Sequence, residues 1–401
     1  MPGSELFDEQ EIEALAEVIR RKVVHRYAFQ AERGGRYLVE EFEQAVAQRF
    51  GVKRAHAVSS GSAALLVAMR AFGLGPGDEV ITTPFTFVAS VEAVLECGAI
   101  PVLAEIDESL NLDPSSVEYL VTERTKAIMP VHMFGSCADM DAITSIARKH
   151  GLYVFEDACQ AMGATYKGHP AGSMGYFGTY SLDPYKVITT GEGGVITTND
   201  EDFYRRCEYF SDHGHVHNHA IDRGAEDKAC LGFNYRMSEL QGALGLVQLK
   251  KLDRAIQLLR ENKRRILNNV GKIDGLKLRK HADPEGEIAT QLVFILPDAE
   301  SARRFQRASA QSGAPCGILS NNLWHFVNNW QHLRDRRTYG RKCPFECPYN
   351  EGSWPTYRPV EYPQSTDALS RSVVYGLKIL MSEQEIERIS EAISRAAKEA
   401  L

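Results

Sequence analysis

The stretch Ala55-His56-Ala57-Val58-Ser59-Ser60-Gly61-Ser62 decides the fold. Its first residues have strand character, small turn residues follow, and residues 63–72 have the apolar spacing of a helix. The stretch therefore predicts a strand, a tight loop and a helix N-terminus. Hydroxyls and free backbone N–H groups at this positive helix end suit a phosphate. A serine N-cap beside a turn glycine is also typical of an ordinary helix start, so the stretch alone identifies no function.

The same alternation continues along the chain. Short apolar strands are predicted at residues 78–82, 100–105, 127–131 and 153–157, with helices between them, as at 90–97. This pattern favours crossover connections and a mostly parallel sheet with covered faces. Helices at 11–19 and 40–47 precede the sheet, and strands at 176–181 and 193–198 complete it.

The C-terminal part has a different pattern. Residues 237–267 form a long amphipathic segment, and the remainder mixes strands with a terminal helix at 382–398. We place a boundary near residue 250, inside the long helix. The expected division is a large α/β domain over residues 1–250, with its N-terminal helices, and a smaller C-terminal α/β subdomain over residues 251–401.

Composition limits the class of protein. The chain has 401 residues, of which 44% are hydrophobic and 25% charged, as in ordinary globular proteins, and its formal net charge is −7. This charge argues against a protein built to bind nucleic-acid phosphates. The sequence has no signal-peptide pattern and no apolar run that spans a bilayer, and its eight cysteines are scattered. We therefore expect a cytoplasmic protein without nucleic-acid or membrane partners.

Three residues suggest chemistry at the strand ends. Asp157 ends an apolar strand, at the position where α/β sheets bind ligands. Lys186 lies between Ser181, at a strand end, and the glycine-rich turn at 191–194, which is unusual for a surface lysine. A lysine that forms a Schiff base, an aspartate that keeps a pyridinium nitrogen protonated, and Ser and Gly groups that hold a phosphate are what pyridoxal phosphate requires. The pattern therefore predicts this cofactor.

At these residues the chain resembles the DegT/DnrJ/StrS sugar aminotransferases, which have the aspartate-aminotransferase-like fold type I. The resemblance covers nearly the whole chain and rests on ordered motifs at residues 59–64 (SSGSAA), 84–90 (PFTFVAS), 156–161 (EDACQA), 181–194 and 232–239 (GFNYRMSE). It implies a seven-stranded, mostly parallel sheet with helices on both faces. It also implies amino-sugar biosynthesis by a homodimer whose active sites lie at the subunit interface.

The resemblance implies that Lys186 is the catalytic residue. It would hold the cofactor as a Schiff base and then move a proton between the substrate carbon and C4′ of the cofactor. A lysine acts as a base near pH 7 only where burial or a neighbouring cation lowers its pKa.

The resemblance also implies how the cofactor is bound. Asp157 would pair with the pyridine nitrogen, Gln160 with the phenolic oxygen, and the ring of Phe87 would stack on the cofactor. The residues that would hold the phosphate are Gly61, Ser62 and Ser181, together with Asn234 from the partner subunit.

Residues around the lysine bear on the reaction class. A dehydratase of similar pattern carries His where this chain has Lys186, so the lysine favours amino transfer. The chain departs from the usual motif at Leu182, commonly Phe, and at 183–185, commonly more polar. A dehydratase or oxidase that kept the lysine is a second class. A noncatalytic regulator is a third, which Lys186, Asp157 and Gln160 together disfavour.

Within the family, the chain resembles in particular the enzymes that aminate an oxidised eight-carbon sugar acid to 8-amino-3,8-dideoxy-manno-octulosonate, with glutamate as donor. The similar spans include residues 84–93, 131–133, 211–215, 222–226 and 327–330. Residues 334–355, which contain Cys343 and Cys347, depart from that group. A nucleotide-linked keto sugar or a keto-cyclitol as acceptor, and glutamine as donor, therefore stay open.

Anionic substrates require local cations on a net-acidic protein. Arg26 and Arg223 are the candidates, and Arg236 is expected to order the Asn234 loop. Histidines alternate at positions 213, 215, 217 and 219, but no carboxylate or thiolate completes a metal site, so we expect no metal. The predicted substrate-binding residues are Arg26, Tyr27, His213, His215, Arg223, Trp324 and His325.

Overall fold

The computed structural model describes residues 2–218, 221, 223–339, 343–352 and 354–401. The α-helices are α1 (Glu9–Arg21), α2 (Gln30–Arg33), α3 (Leu38–Phe50), α4 (Gly61–Phe72), α5 (Ala89–Glu96), α6 (Pro114–Tyr119), α7 (Met140–His150), α8 (Glu201–Ser211), α9 (Glu239–Val270), α10 (Ala299–Gln311), α11 (Gln331–Arg334), α12 (Pro363–Ser370) and α13 (Glu383–Ala400). The strands are β1 (Arg54–Val58), β2 (Glu79–Thr82), β3 (Ile100–Leu103), β4 (Thr125–Ile128), β5 (Tyr153–Asp157), β6 (Thr165–Tyr166), β7 (His169–Pro170), β8 (Phe177–Ser181), β9 (Gly194–Thr198), β10 (Lys277–Leu278), β11 (Gln291–Ile295), β12 (Gly317–Ile318) and β13 (Ser372–Gly376). None of the helices in the described ranges has both the length and the apolar character needed to cross a membrane.

A seven-stranded sheet of order β1-β9-β8-β5-β4-β2-β3 occupies the N-terminal part of the chain. The pairs from β8 to β3 are parallel, and β9 is antiparallel to both of its neighbours. This confirms the mostly parallel sheet predicted from the sequence. β9 runs the other way because no crossover helix lies between it and β8. The connection at 182–193 therefore stays at the edge where β8 ends, and Lys186 lies on it.

Helices cover both faces of this sheet, as predicted. Alternate strand residues point to opposite faces. Ala127 and Phe155 belong to the core that contains residues of α4, α5 and α8. Their neighbours Ile128 and Val154 belong to the core that contains residues of α3, α7 and α9. Burial on both faces explains why these strands read as continuous apolar runs.

Residues 55–72 fold as the strand, loop and helix that their pattern predicts. β1 ends at Val58, and Ser60 is the N-cap of α4, because its side chain accepts a hydrogen bond from the Ala63 backbone N at 3.0 Å. At the other end, Gly73 (φ 98°) adopts the left-handed conformation that ends the helix. The N-terminus of α4 thus lies at the sheet edge where the parallel strands end.

The C-terminal part is built on a four-stranded antiparallel sheet of order β10-β11-β13-β12, with α10 beside it and α13 packed on α10 and α9. α9 passes through residue 250 without a break. All strands of this second sheet follow α9 in the chain. We keep the division into residues 1–250 and 251–401 as a proposal, with its boundary inside one continuous helix.

Candidate active site

A cavity of about 550 Å³ opens at the edge where the parallel strands end. Segments 60–65, 86–90, 157–162 and 181–192, which line it, each follow a strand of the large sheet, and Thr290, Gln291, Trp324 and His325 complete it. Open α/β sheets bind ligands at this edge. The cavity brings together every predicted cofactor residue except Asn234.

Asp157 is the buried last residue of β5. Ser90 Oγ donates a hydrogen bond to Asp157 Oδ2 at 2.6 Å, and the Cys159 backbone N–H donates to Oδ1 at 3.0 Å. Both donors are neutral, and within the described ranges no cation forms an ion pair with this carboxylate. Because a buried carboxylate normally requires a cationic partner, Asp157 is suited to a cationic group on a ligand.

The N-terminus of α4 forms one wall of the cavity. The Ser60 hydroxyl caps the helix, whereas Ser62 is exposed. Gly61 lies so close to Ser181 that a Cβ at position 61 would come within 2.6 Å of the Ser181 Cβ. Only glycine allows this approach. The result is a concave group of backbone N–H and hydroxyl donors at a positive helix end, which suits a phosphate.

Lys186 lies in the loop between β8 and β9. Its backbone N–H donates to Asp183 O at 3.0 Å, and the Tyr185 N–H donates to Asp183 Oδ1 at 2.8 Å, so the loop turns tightly before the lysine. The Lys186 side chain is half-buried at the cavity. In the part of the chain that the structure describes, its amine makes neither an ion pair nor a hydrogen bond. It is therefore available to react with a ligand.

Aromatic side chains form the outer wall. The ring centroids of Phe87 and Trp324 are 6.1 Å apart with an interplanar angle of 21°, and the His325 ring lies 5.6 Å from that of Phe87. The Val88 N–H donates to Trp324 O at 3.1 Å and joins the two segments. The predicted substrate residues Trp324 and His325 thus line the same cavity as the predicted cofactor residues.

His325 is held in its neutral form. Burial lowers the pKa of His325 to about 4, and the charge of Lys186 contributes. Asn322 Oδ1 accepts the backbone N–H groups of Trp324 at 2.9 Å and of His325 at 3.0 Å, so this atom is the amide oxygen. His325 Nδ1, 3.1 Å from the same oxygen, must then carry the proton. His325 Nε2 is left as the hydrogen-bond acceptor.

Gln160 and Cys159 lie beside Asp157. The Phe134 N–H donates to Gln160 Oε1 at 3.3 Å, which leaves the amide N–H groups of Gln160 as donors for a ligand. Burial raises the pKa of the Cys159 thiol well above its usual value, and the charge of Asp157 raises it further. Cys159 is therefore a protonated, unreactive thiol in the wall.

Arg26, predicted to bind substrate, does not line this cavity. It is 2% exposed, and its guanidinium donates to Glu43 Oε1 and to Ala57 O, both at 2.6 Å. Glu43 Oε1 also accepts the Ala57 backbone N–H. These contacts join α3 to β1. A substrate contact by Arg26 stays a prediction.

A second group of charged residues surrounds the fully buried Asp212. Arg223 donates to both carboxylate oxygens, at 2.6 and 2.7 Å, and Arg236 donates to Oδ1. Burial alone would raise the pKa of Asp212, but the two guanidinium groups outweigh it and lower the pKa. Tyr27 and His217 stack with ring centroids 4.0 Å apart, and they line with Arg223 a separate cavity of about 630 Å³. We call Asp212, Arg223, Arg236, Tyr27 and His217 the Asp212 cluster.

The remaining predicted residues lie near this cluster. Asn234 is exposed, forms a backbone bridge with Asp212, and does not line the cavity of its own chain. His213 is exposed, and His215 Nδ1 lies 2.7 Å from Glu226 Oε2. Neither histidine reaches the Lys186 cavity, and His219 is outside the described residues. Across those residues, no group of three or more His, Cys, Asp or Glu side chains is placed to hold a metal ion.

The Lys186 cavity fits pyridoxal phosphate. Asp157 offers a buried carboxylate that pairs with no cation in the described part of the chain, as a protonated ring nitrogen requires. Gly61 allows the N-terminus of α4 to pack closely on Ser181, and Gly61, Ser62 and Ser181 line the cavity together. Lys186 offers, in the same cavity, an amine that has no hydrogen-bond or ion-pair partner among the described residues, and Phe87 offers a ring face. These are the contacts that the cofactor needs at its nitrogen, phosphate, aldehyde and ring.

The large sheet, the smaller C-terminal sheet and this cavity define a fold type I pyridoxal-phosphate enzyme. The chain belongs to the DegT/DnrJ/EryC1/StrS aminotransferase family, whose model matches residues 8–344. Pyridoxal phosphate is the cofactor of these sugar aminotransferases. The resemblance seen in the motifs is thereby confirmed at the level of the family.

Individual relatives differ in how much of the chain they match. GDP-perosamine synthase of Caulobacter vibrioides is 48% identical over 220 residues, which are 55% of this chain and 58% of that protein. Spore coat polysaccharide biosynthesis protein SpsC of Bacillus subtilis is 34% identical over 362 residues, or 88% of each chain. An aminotransferase of Psychrobacter cryohalolentis, of known structure, is 30% identical with a TM-score of 0.80 over 97% of this chain and 96% of that one.

The sequence pattern did not reveal the residues that hold the predicted ones in place. Ser90 lies in the motif at 84–90, so its position was visible, but its contact with Asp157 joins residues far apart in the chain. Asn322, which orients His325, carried no pattern signal. The buried pair of His132 Nε2 and Glu156 Oε2, 2.9 Å apart behind Asp157, was likewise missed.

Proposed function

We propose that this protein transfers the amino group of glutamate to an oxidised 3-deoxy-octulosonate sugar acid and so forms 8-amino-3,8-dideoxy-manno-octulosonate. The observation that carries the amino-transfer step is the single cavity in which Lys186, Asp157 and the phosphate site at Gly61 and Ser181 meet. The proposed working unit is a homodimer, in which Asn234 of each subunit reaches the phosphate site of the other.

Bound pyridoxal phosphate supplies an electron-withdrawing ring that stabilises negative charge on the carbon next to the transferred nitrogen. Asp157 would keep the ring nitrogen protonated. Gly61, Ser62 and Ser181 would anchor the phosphate, and Gln160 would donate a hydrogen bond to the phenolic oxygen.

Lys186 would bind the cofactor aldehyde and give up that bond to the amine of glutamate. Its freed amine would then move a proton between the substrate carbon and C4′ of the cofactor. Phe87 would exclude water from one face of the ring. His325, neutral and with Nε2 as acceptor, would take a hydrogen bond from a sugar hydroxyl without adding positive charge beside Lys186.

Both proposed substrates are anionic, whereas the chain carries a net charge of −7, so a few cations must bind their carboxylates. Arg26 is engaged by Glu43 and is nearly inaccessible. Arg223 keeps 34% of its side chain exposed beside Asp212. In the proposed dimer, Arg223 would enter the partner's site together with Asn234. Arg223 donates hydrogen bonds to the Asp212 carboxylate, and Asn234 forms a backbone bridge with Asp212, so the two residues are held side by side.

A nucleotide-linked keto sugar or a keto-cyclitol is the second candidate acceptor. The 48% identity to a GDP-perosamine synthase favours a nucleotide-linked sugar. The long similar spans at 84–93 and 222–226 favour the sugar acid. A dehydratase reaction is less favoured, because the dehydratases of similar pattern carry His where this chain has Lys186.

Mass spectrometry of reaction products tests the acceptor and the donor together. The protein loaded with pyridoxal phosphate is incubated with glutamate or glutamine and with the oxidised octulosonate, a GDP-linked keto sugar or a keto-cyclitol. We expect the amine product from the octulosonate with glutamate. Lys186→Ala should give no product, whereas Lys149→Ala, at an exposed lysine paired with Glu118, should give the same yield as the parent protein.

Each other outcome has a defined meaning. An amine formed only from the GDP-linked sugar or the cyclitol would replace the proposed acceptor and leave the amino transfer intact. Ammonia release without an amine product would identify a dehydratase. Product from Lys186→Ala at the parent's rate would contradict the proposed mechanism.

A further inference from the structure

Two buried hydroxyl groups form a chain that ends on the Asp157 carboxylate. Ser90 Oγ donates to Asp157 Oδ2 at 2.6 Å, and Thr86 Oγ1 lies 2.6 Å from Ser90 Oγ. Ser90 is 1% exposed and Thr86 is 0% exposed. Ser90 belongs to the first turn of α5, Thr86 to the segment before it, and Asp157 to β5. The tertiary fold, rather than local sequence, therefore brings the three groups together.

The charge of Asp157 fixes the direction of the chain. An ionised carboxylate only accepts hydrogen bonds, so the single hydroxyl proton of Ser90 is donated to Asp157. Ser90 Oγ can then only accept a hydrogen bond from Thr86, so the Thr86 hydroxyl must be the donor. Each bond polarises the next, so Thr86 strengthens the bond that Ser90 makes. The Cys159 N–H occupies the other carboxylate oxygen.

We propose that Ser90, supported by Thr86, is a positioning residue that keeps the shared proton on the ring nitrogen of the cofactor rather than on Asp157. A carboxylate with one free oxygen is a stronger base and is free to rotate, and it would draw that proton towards itself. With both oxygens bound by neutral donors, the carboxylate is oriented and its charge is spread. The inference requires only the cofactor, so it stands or falls independently of the proposed keto sugar.

The other titratable groups near Asp157 include Cys159, Lys186, His325 and the Glu156–His132 pair. Cys159 is a protonated thiol and His325 is neutral, so neither adds charge near neutral pH. The Glu156 carboxylate makes its hydrogen bonds to other groups. It accepts the N–H groups of Gly172 at 2.8 Å and Met174 at 2.6 Å, and its Oε2 lies 2.9 Å from His132 Nε2. Lys186 would be bound to the cofactor, and Asp183 and Glu192 also line the cavity.

The test compares Ser90→Ala, Thr86→Val and Thr86→Ser with Ser390→Ala. Ser390 is the matched control, because it is a buried serine in α13 whose hydroxyl donates to Ile386 O at 2.7 Å within its own helix. The affinity of the cofactor-free protein for pyridoxal phosphate is measured by absorbance titration. The pH midpoint of the visible absorbance of the bound cofactor is measured as a second, spectroscopic property.

We expect Ser90→Ala to bind the cofactor roughly tenfold more weakly, because a hydrogen bond to a charged group is lost. Its pH midpoint should rise by about half a unit to one unit, since a ring with less positive charge leaves the cofactor-bound nitrogen of Lys186 more basic. Thr86→Val should change both properties in the same direction by less. Thr86→Ser keeps the hydroxyl and should match the parent protein, as should Ser390→Ala.

A pH midpoint that is unchanged in both Ser90→Ala and Thr86→Val would overturn the proposal, whatever their cofactor affinities. A Thr86→Ser protein that shifts as far as Thr86→Val would overturn the support by Thr86, because the hydroxyl would then be irrelevant. Equal weakening of cofactor binding in Ser390→Ala would show a general loss of stability instead of an effect at Asp157.

Discussion

The Lys186 cavity and the Asp212 cluster both contain buried ionisable side chains, but their charges are balanced differently. In the cavity, Asp157 accepts hydrogen bonds only from neutral groups, and the amine of Lys186 has no partner within the described ranges. In the cluster, Asp212 is bound by Arg223 and Arg236. One region holds charges without their counter-charges, and the other has already formed its ion pairs.

This difference indicates that the cavity binds a ligand, whereas the cluster holds chain segments in position. Burying a charge without a partner costs stability, so a fold retains such groups where a ligand later supplies the missing charge. A paired carboxylate such as Asp212 instead fixes the segments that carry its arginines. These contrasting contacts support the proposed cofactor role of the cavity and the proposed role of the cluster in orienting the Asn234 segment.

Replacing Lys186 by Arg should have the largest effect, because it keeps a positive charge in the cavity and removes the reactive amine. Amino transfer should fall by about a thousandfold, as expected for loss of a positioned acid–base group. Borohydride reduction followed by intact mass measurement should fix the cofactor to the parent protein and to Lys149→Arg, but not to Lys186→Arg. Cofactor fixed to Lys186→Arg would show that another residue forms the bond.

Replacing Asp212 by Asn should have the next largest effect, on stability. The change leaves two partly buried guanidinium groups without their counter-charge, and breaking such a pair costs about 3 kcal/mol. Urea unfolding monitored by circular dichroism measures the loss. Asp202→Asn, at a side chain with 89% exposure on α8, is the matched control and should change stability by less than about 0.5 kcal/mol. Equal stability of the two variants would mean that the cluster is not held by Asp212.

The same contrast explains how far the sequence predicts the site. The placement of Asp157, Ser181 and Lys186 at one cavity was predictable, because the ends of parallel strands meet at one edge whatever the details of packing. The environment of Arg26 could not be predicted from the sequence. Its partner Glu43 lies on α3, and only the packing of α3 on β1 brings the two side chains together. Ser90 shows the intermediate case: its motif was visible, but its bond to Asp157 depends on how α5 sits against β5.

His325 should contribute a smaller, pH-dependent term to stability. Its pKa is about 4 in the folded protein and near 6.5 when unfolded, so between these values the unfolded chain binds the extra proton. The free energy of unfolding therefore falls as pH drops from 6.5 to 4, by about 2 kcal/mol for this residue. His325→Asn should show a correspondingly shallower decrease in urea unfolding across this range. His169→Asn, at an exposed histidine, should keep the slope of the parent protein.

The smallest effect should distinguish the two serines at the start of α4. Ser60 Oγ accepts the Ala63 N–H, so Ser60→Ala should lower the free energy of unfolding of the cofactor-free protein by about 1 kcal/mol. Ser62 is exposed, so Ser62→Ala should leave that stability unchanged while it weakens pyridoxal phosphate binding in an absorbance titration. If Ser62→Ala were destabilised and bound the cofactor normally, Ser62 would be a structural residue and the phosphate would have to be held by Gly61 and Ser181. The two variants therefore test the comparison within a single turn of helix. The Ser60 hydroxyl, already bonded to the chain, should stabilise the fold as the Asp212 cluster does, whereas the open Ser62 hydroxyl should bind the cofactor as the Lys186 cavity does.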